Sequence, residues 1–205
     1  MERVRQGVET SRAYWGSYGP THVWILGRER SGGVGEEQER AFLDEYCACR
    51  TATVERTVEE CRPYAKERFI EVMERGEAEA YLSYVRETEP PMAELVFINV
   101  HNWYYDRDPV PDPVLRGIHE YTHVFQSSFP VTPTWMMEGL AVFTEAWLPW
   151  RSGERGIEEV MSYSMEAAKE VLDRGFSIAQ MEEVETAPRR VARYHRELAY
   201  DAGAW

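Results

Sequence analysis

Residues 113–145 read PVLRGIHEYTHVFQSSFPVTPTWMMEGLAVFTE, a pattern typical of two helices joined by a short loop. Asp112 is a good N-cap and Pro113 is favoured at the first helical position, so a helix is predicted to begin there and to end near Ser127. A second amphipathic run begins near Thr134 and predicts the other helix. We expect the short connection to make the two helices antiparallel neighbours.

The first helix carries an H-E-x-x-H pattern. His119 and His123 are four residues apart, so both imidazoles project from one helix face and can reach a single ion. Glu138 lies about one turn into the second helix, which sets it at the height of His123 in a tight hairpin. Two imidazoles and a carboxylate leave a zinc ion one open position for water, which is typical of a catalytic site. Glu120 is adjacent to His119 around the helix and can act on that water as a general base without being a ligand.

A further carboxylate lies on the second helix. Glu145 follows Glu138 by seven residues and lies on the same helix face. It can therefore accept a hydrogen bond from a ligand histidine and orient that ring. The alternative is an exposed carboxylate that only keeps the helix soluble.

Together, HEYTHVFQ and PTWMMEGLAVFTE resemble the paired motif of the gluzincin zinc metallopeptidases, including the peptidase-MA-like and aminopeptidase groups. In that family W-x-x-E-G-x-A carries the third zinc ligand. The resemblance implies a zincin-like fold with the metal site between the two helices. Residue by residue it implies His119, His123 and Glu138 as ligands of Zn²⁺ and Glu120 as the base.

The same resemblance implies two further features outside the paired motif. A strand at Glu94–Val100 would bind an extended peptide backbone along its edge. A tyrosine in the segment YHRELAYDAGAW, residues 194–205, would face the metal and donate to the oxyanion of the tetrahedral intermediate. Tyr200 matches that role best, and Tyr194 and His195 are the other candidates. A plain surface position is an equally good reading of His195.

The remaining sequence predicts a mostly helical α+β protein with a small sheet. Short strands are predicted at Thr21–Leu26 and Glu94–Val100, and two or three helices between Glu36 and Arg86. A loop is predicted at Gly27–Gly35. A last helix from about Glu154 to Arg174 is predicted to pack on the metal-site helices through the apolar residues Ile157, Val160, Met161, Met165, Ala168 and Leu172. We expect one domain over residues 1–205, with N-terminal helices and strands to about residue 112 and the metal-site and C-terminal helices over 113–205.

Composition limits the possible partners. The chain of 205 residues has 36 acidic and 23 basic side chains, for a net charge of -13, which argues against nucleic acid and anionic membrane surfaces. The start MERVRQGVETSR has charges where a signal peptide needs an apolar run, and no stretch predicts a membrane span. A cytoplasmic location is expected because no signal peptide is visible. The metallopeptidase resemblance implies a peptide or protein as substrate.

The three cysteines, Cys47, Cys49 and Cys61, are an odd number clustered in one predicted helical stretch, which is a poor match to a disulfide framework. Reduced thiols are expected, with a Cys47–Cys61 pair as the alternative and a cysteine zinc site disfavoured. His22 and His101 are expected to be structural, although His101 follows the predicted substrate strand.

The favoured function is zinc-dependent hydrolysis of peptide bonds. The alternative is a non-catalytic zinc-binding module that serves partner binding or regulation. A hairpin that holds no metal is the third reading, and iron or manganese can also occupy a site of two histidines and a carboxylate.

Overall fold

The computed structural model describes residues 2–28, 35–52, 57–85, 89, 91–100, 112–129 and 132–205, and for residues 28, 159 and 160 the backbone alone. His101 and most of the predicted loop Gly27–Gly35 lie outside these residues. The described chain is mostly helical with one three-stranded sheet, which confirms the α+β prediction. None of its helices is long and apolar enough to cross a membrane.

The chain forms two compact units. The first, here called the sheet unit, contains Met1–Arg5 and Ser17–Pro113. The second, the helical unit, contains Gln6–Gly16 and Val114–Trp205. Whether the two units make one domain stays a prediction.

Three strands make up the sheet: β1 (Thr21–Arg28), β2 (Glu79–Val85) and β3 (Met92–Val100). Both predicted strands are present as β1 and β3. Strand β2 was predicted as helix, and that prediction is wrong. Gly76, with φ of +78°, follows the end of the preceding helix, and the aromatic and β-branched run EAYLSYV then favours extended backbone.

The order β1-β3-β2 makes β3 the central strand, parallel to β1 and antiparallel to β2. This explains why β3 is almost wholly buried and apolar. Its backbone pairs with both neighbours between Ala93 and Ile98, so over that length neither edge is open to a peptide. The expectation that an extended substrate pairs with an edge of Glu94–Val100 is therefore wrong, because that expectation needs an edge strand.

Helices cover one face of this sheet. They are α2 (Glu36–Thr51), α3 (Val58–Ala65), which Thr57 caps with a capping box, and the short α4 (Glu71–Glu74), joined to α3 by a π-helical turn at Lys66–Ile70. Their apolar side chains form one core with those of the sheet. Its buried members include Tyr46, Phe69, Met73, Val96 and Ile98.

A disulfide joins Cys47 on α2 to Cys61 on α3. The expectation of reduced thiols at these two positions is wrong, because packing of α2 on α3 brings the two Cα atoms to 5.7 Å, a separation typical of bonded cysteines. Cys49 remains a free thiol, with its Sγ 3.0 Å from Nδ1 of His22. His22 therefore has a structural contact, as expected.

The buried carboxylate of Glu94 is the main polar feature of the sheet unit. It accepts hydrogen bonds from the Tyr46 hydroxyl at 3.0 Å, from Arg50 at 2.9 Å and from Ser83 at 3.2 Å. Burial, and then the Glu94 charge, raise the pKa of Tyr46 above its usual value, so the phenol stays a donor. These donors stabilise a charge that would otherwise be costly inside the core.

The helical unit contains most of α1 (Glu2–Trp15), α5 (Pro113–Gln126), α6 (Thr134–Arg151) and α7 (Ile157–Asp173). The predicted start of α5 at Pro113 is confirmed, and so is the start of α6 near Thr134. Helix α1, for which no structure was predicted, lies close to α5, since a Cβ on Gly7 would lie 2.0 Å from the carbonyl oxygen of Val114. Short turns follow α7: Ile178–Met181, Val184–Thr186, α8 (Arg189–Ala192), a π-helical turn at Arg196–Asp201, and Ala202–Ala204.

The apolar face predicted for α7 is partly wrong. Met161 and Ala168 are buried as expected, but Met165 and Leu172 are 48% and 45% exposed. The buried face runs instead through Met161, Ser164, Ala168 and Val171. Ser164 is turned inward because it hydrogen-bonds the buried carboxylate of Asp201. The side chain of Val160 lies outside the described residues.

Denatured protein kept from reducing agents is expected to show one reactive thiol per chain, that of Cys49. Because the Cys47–Cys61 bridge closes a loop with a sequence separation of 14, the C61S variant should lose about 2–3 kcal/mol of unfolding free energy. Thiol titration and denaturant unfolding measure the two effects. The C49S variant is the control and should unfold as the parent does. Three reactive thiols in the parent would contradict the disulfide.

Candidate metal centre

Three side chains of the helical unit converge on one point. His119 and His123 lie one turn apart on α5 with ring centroids at 4.8 Å, and Glu138 lies one turn into α6. One ligand atom from each lies within 4.8 Å of those of the other two. Among the described residues this is the one group of three or more such side chains that can hold a metal ion.

Glu138 bonds both imidazoles. Its Oε2 lies 3.2 Å from Nε2 of His119 and 3.5 Å from Nε2 of His123. Burial alone would raise the pKa of Glu138, but the hydrogen bonds and charges of the two histidines hold it well below its usual range. The carboxylate is therefore ionised at neutral pH and available to a cation.

The opposite nitrogen of each imidazole is also engaged. Nδ1 of His119 lies 2.5 Å from Oε1 of Glu145, the carboxylate predicted for this role. Nδ1 of His123 lies 2.6 Å from Oε1 of Gln126. An acceptor at each Nδ1 keeps a proton on that nitrogen, so Nε2 is the nitrogen that a metal ion would take once its own proton leaves. Burial opposes protonation of His119, but its contacts with Glu138 and Glu145 raise its pKa well above the usual value.

Gln126 was not assigned a role on the sequence. Its side chain is buried, and its Nε2 donates to the carbonyl oxygen of Met137 at 2.8 Å. One amide thus connects the ligand His123 on α5 to the residue before Glu138 on α6. The signal in the sequence is the spacing H-x-x-Q, since a residue three positions after His123 lies on the same helix face.

Tyr200 lies against the cluster. The π-helical turn Arg196–Asp201 carries it, and its ring stacks on that of His119 with centroids 5.7 Å apart and planes 12° apart. Burial, followed by the charge of Glu138 and a hydrogen bond with it, raises the pKa of Tyr200 above its usual value. The phenol therefore keeps its proton and is a donor at neutral pH.

The other two candidate donors differ in position from Tyr200. The hydroxyl of Tyr194 accepts a hydrogen bond from Arg174 at 3.1 Å, and the ring packs on Phe176. The rings of His195 and Tyr200 are nearly perpendicular, with centroids 5.4 Å apart, and the buried Nε2 of His195 has no hydrogen-bond partner among the residues described. Tyr200 is thus the candidate that contacts the ligand cluster.

Glu120 is half-buried on α5. Glu120 directly follows His119 on α5, and its charge contributes to the raised pKa of His119 and to that of Tyr200. The base predicted from the motif, the predicted ligands and the tyrosine therefore occupy one neighbourhood.

Two glycines allow the chain bearing Tyr200 to approach α6. A Cβ on Gly139 would lie 2.1 Å from the carbonyl carbon of Gly203, and one on Gly203 would lie 2.2 Å from the carbonyl oxygen of Trp135. Both positions therefore require glycine for this backbone contact. Gly139 directly follows Glu138. The E-G pair therefore supplies a candidate ligand and also the space in which the backbone at Gly203 packs.

Comparison of the chain with protein-family models, with curated proteins and with solved structures finds no match in any of the three.

We expect the Q126A variant to bind Zn²⁺ about 10- to 100-fold more weakly than the parent, because His123 loses the partner that orients its ring. Competition against a chromogenic zinc chelator measures the affinity, and circular dichroism checks that the helices remain. Q180A, which removes an exposed amide from a turn of the same unit, is the control. Equal zinc affinity in Q126A and Q180A would show that Gln126 does not orient His123.

Proposed function

We propose that this chain is a zinc-dependent metallopeptidase of the gluzincin kind, with a zincin-like arrangement of α5 and α6. The observation that carries the proposal is the convergence of His119, His123 and Glu138, with a potential base and a protonated phenol beside them. The paired sequence motif supports it independently, because it assigns the same residues to the same roles.

The donor set suits zinc. It offers two imidazole nitrogens and one carboxylate, the ligand number that a catalytic zinc site uses when it keeps one position open. Both histidines are buried, and both have their second nitrogen held by a neighbour. Iron and manganese also accept such a set, so the ion itself is part of the proposal. Zn²⁺ bound here would lower the pKa of a water molecule to about 7 and polarise the substrate carbonyl.

Glu120 is proposed as the general base. Its carboxylate is adjacent to His119 on α5, and it is absent from the ligand group. It can therefore accept the proton of the attacking water and pass it to the leaving amine. A carboxylate fits this role because each proton transfer covers a short distance. The group is charged again once it has passed the proton to the amine.

Tyr200 is proposed to stabilise the negative charge that develops on the carbonyl oxygen. Its raised pKa keeps the hydroxyl protonated, and its contact with Glu138 holds it beside the ligands. A fixed donor in a partly buried site stabilises such a charge more than water does, because it needs no reorientation as the charge forms.

Substitution E120Q should retain bound Zn²⁺ and lose peptide hydrolysis by about 10²- to 10⁴-fold, because the amide cannot accept the proton. Cleavage of a mixed quenched-fluorescent peptide library, with zinc content measured on the same sample, gives both quantities. E166Q is the matched control, since it makes the same change at an exposed position of α7.

Hydrolysis by E120Q at the parent rate would refute Glu120 as the base. A parent protein that binds zinc and cleaves no peptide would instead support the non-catalytic module that serves partner binding or regulation.

A further inference from the structure

A basic segment lies directly before the turn that carries Tyr200. Residues 188–196 read PRRVARYHR, with four arginines and no acidic residue, in a chain whose net charge is -13. The arginines are Arg189, Arg190, Arg193 and Arg196, and all four side chains are exposed. This local excess of positive charge is unlike the acidic composition of the rest of the chain.

Arg196 is the member of this segment that reaches the candidate metal centre. Its guanidinium carbon lies 5.9 Å from the centroid of the Tyr200 ring. By contrast, Arg193 lies over the ring of Tyr194, at 4.7 Å. Because Tyr200 stacks on His119, Arg196 is one side chain removed from the ligand cluster.

The guanidinium of Arg196 has unused hydrogen-bonding capacity. No ion pair joins it to an acidic residue in the described ranges, although its charge acts on Asp201. The carboxylate of Asp201 is buried and bonds Ser164 instead. An exposed guanidinium offers five N–H donors in a planar fork, which matches the two oxygens of a carboxylate.

We propose that Arg196 forms a carboxylate-binding subsite beside Tyr200, so that the substrates are peptides with a carboxylate close to the cleaved bond. The inference rests on the proposed function, since it takes Tyr200 to lie at the reacting carbonyl. At about 3.3 Å per residue of extended chain, the carboxylate belongs to a residue within about three positions of that bond. An acidic side chain and a free C-terminus offer the same group.

The negative charge of the whole protein makes a preference for carboxylate-bearing peptides a specific sign of the Arg196 subsite. Long-range forces from a net charge of -13 repel acidic peptides, so tighter binding of an acidic peptide requires a specific local contact. A charge-assisted bidentate pair is the contact that a carboxylate and an arginine make.

The test uses the zinc-loaded E120Q protein, which binds peptides without cleaving them under the proposed mechanism, and short alanine peptides labelled with a fluorophore. One pair differs by a single Glu or Gln, and the other ends in a free carboxylate or an amide. We expect the carboxylate member of at least one pair to bind about 10-fold tighter, equivalent to about 1.4 kcal/mol. The pair that shows the difference identifies which carboxylate the subsite takes.

Adding R196Q should abolish that difference, and adding R196K should restore only part of it, because lysine keeps the charge and lacks the fork. R190Q, which removes another exposed arginine of the same segment, should leave the difference intact. Equal binding of both members of both pairs, or a difference that survives R196Q, overturns the inference. Peptide cleavage by the wild-type protein is scored separately, so the loss of the proposed function and the loss of the subsite give different results.

Discussion

The contact of one buried carboxylate, that of Glu138, with the two imidazoles of His119 and His123 is the constraint on which the rest of the helical unit depends. A buried charge is stable only with good partners, and removing one partner typically costs about 3–5 kcal/mol. Other side chains hold these partners in place. Glu145 and Gln126 hold the outer nitrogens of the rings, and Tyr200 covers the site from the C-terminal segment.

The same arrangement explains why small and polar residues occur where they do in α5 and α6. Gly139 gives the backbone of the last turn room to approach α6, and that approach carries Tyr200 to His119. The amide of Gln126 connects α5 with α6 through the Met137 carbonyl. The two imidazoles and the carboxylate bind a divalent cation in their deprotonated forms, so zinc binding here would be linked to proton release.

The local signals in the sequence predicted much of the helical unit. Asp112 and Pro113 gave the start of α5, and the four-residue spacing of the histidines gave their common face. Glu138 and Glu145 could be placed near them because helix geometry is regular. The H-x-x-Q spacing places Gln126 on the face of His123, but its hydrogen bond to the Met137 carbonyl involves another helix, and no spacing within α5 predicts that bond.

The predictions that failed depend on contacts between distant parts of the chain. The run EAYLSYV favours extended backbone locally, but pairing with β3 makes the whole segment a strand, and β3 is central because β1 and β2 flank it. The bridge between Cys47 and Cys61 depends on how α2 packs on α3. The buried face of α7 includes Ser164 because its side chain hydrogen-bonds Asp201. A prediction from apolar residues alone does not include such a hydrogen bond.

The most direct test of the central claim is the metal content of the purified protein, measured by elemental analysis at known protein concentration beside the H119A/H123A double variant. We predict about one zinc ion per chain in the parent after zinc loading, and its loss in the variant, because two of the three ligands are removed. No bound metal in the parent after loading, or equal zinc in both proteins, would contradict the account and leave the His119–His123–Glu138 cluster as a structural contact between two helices.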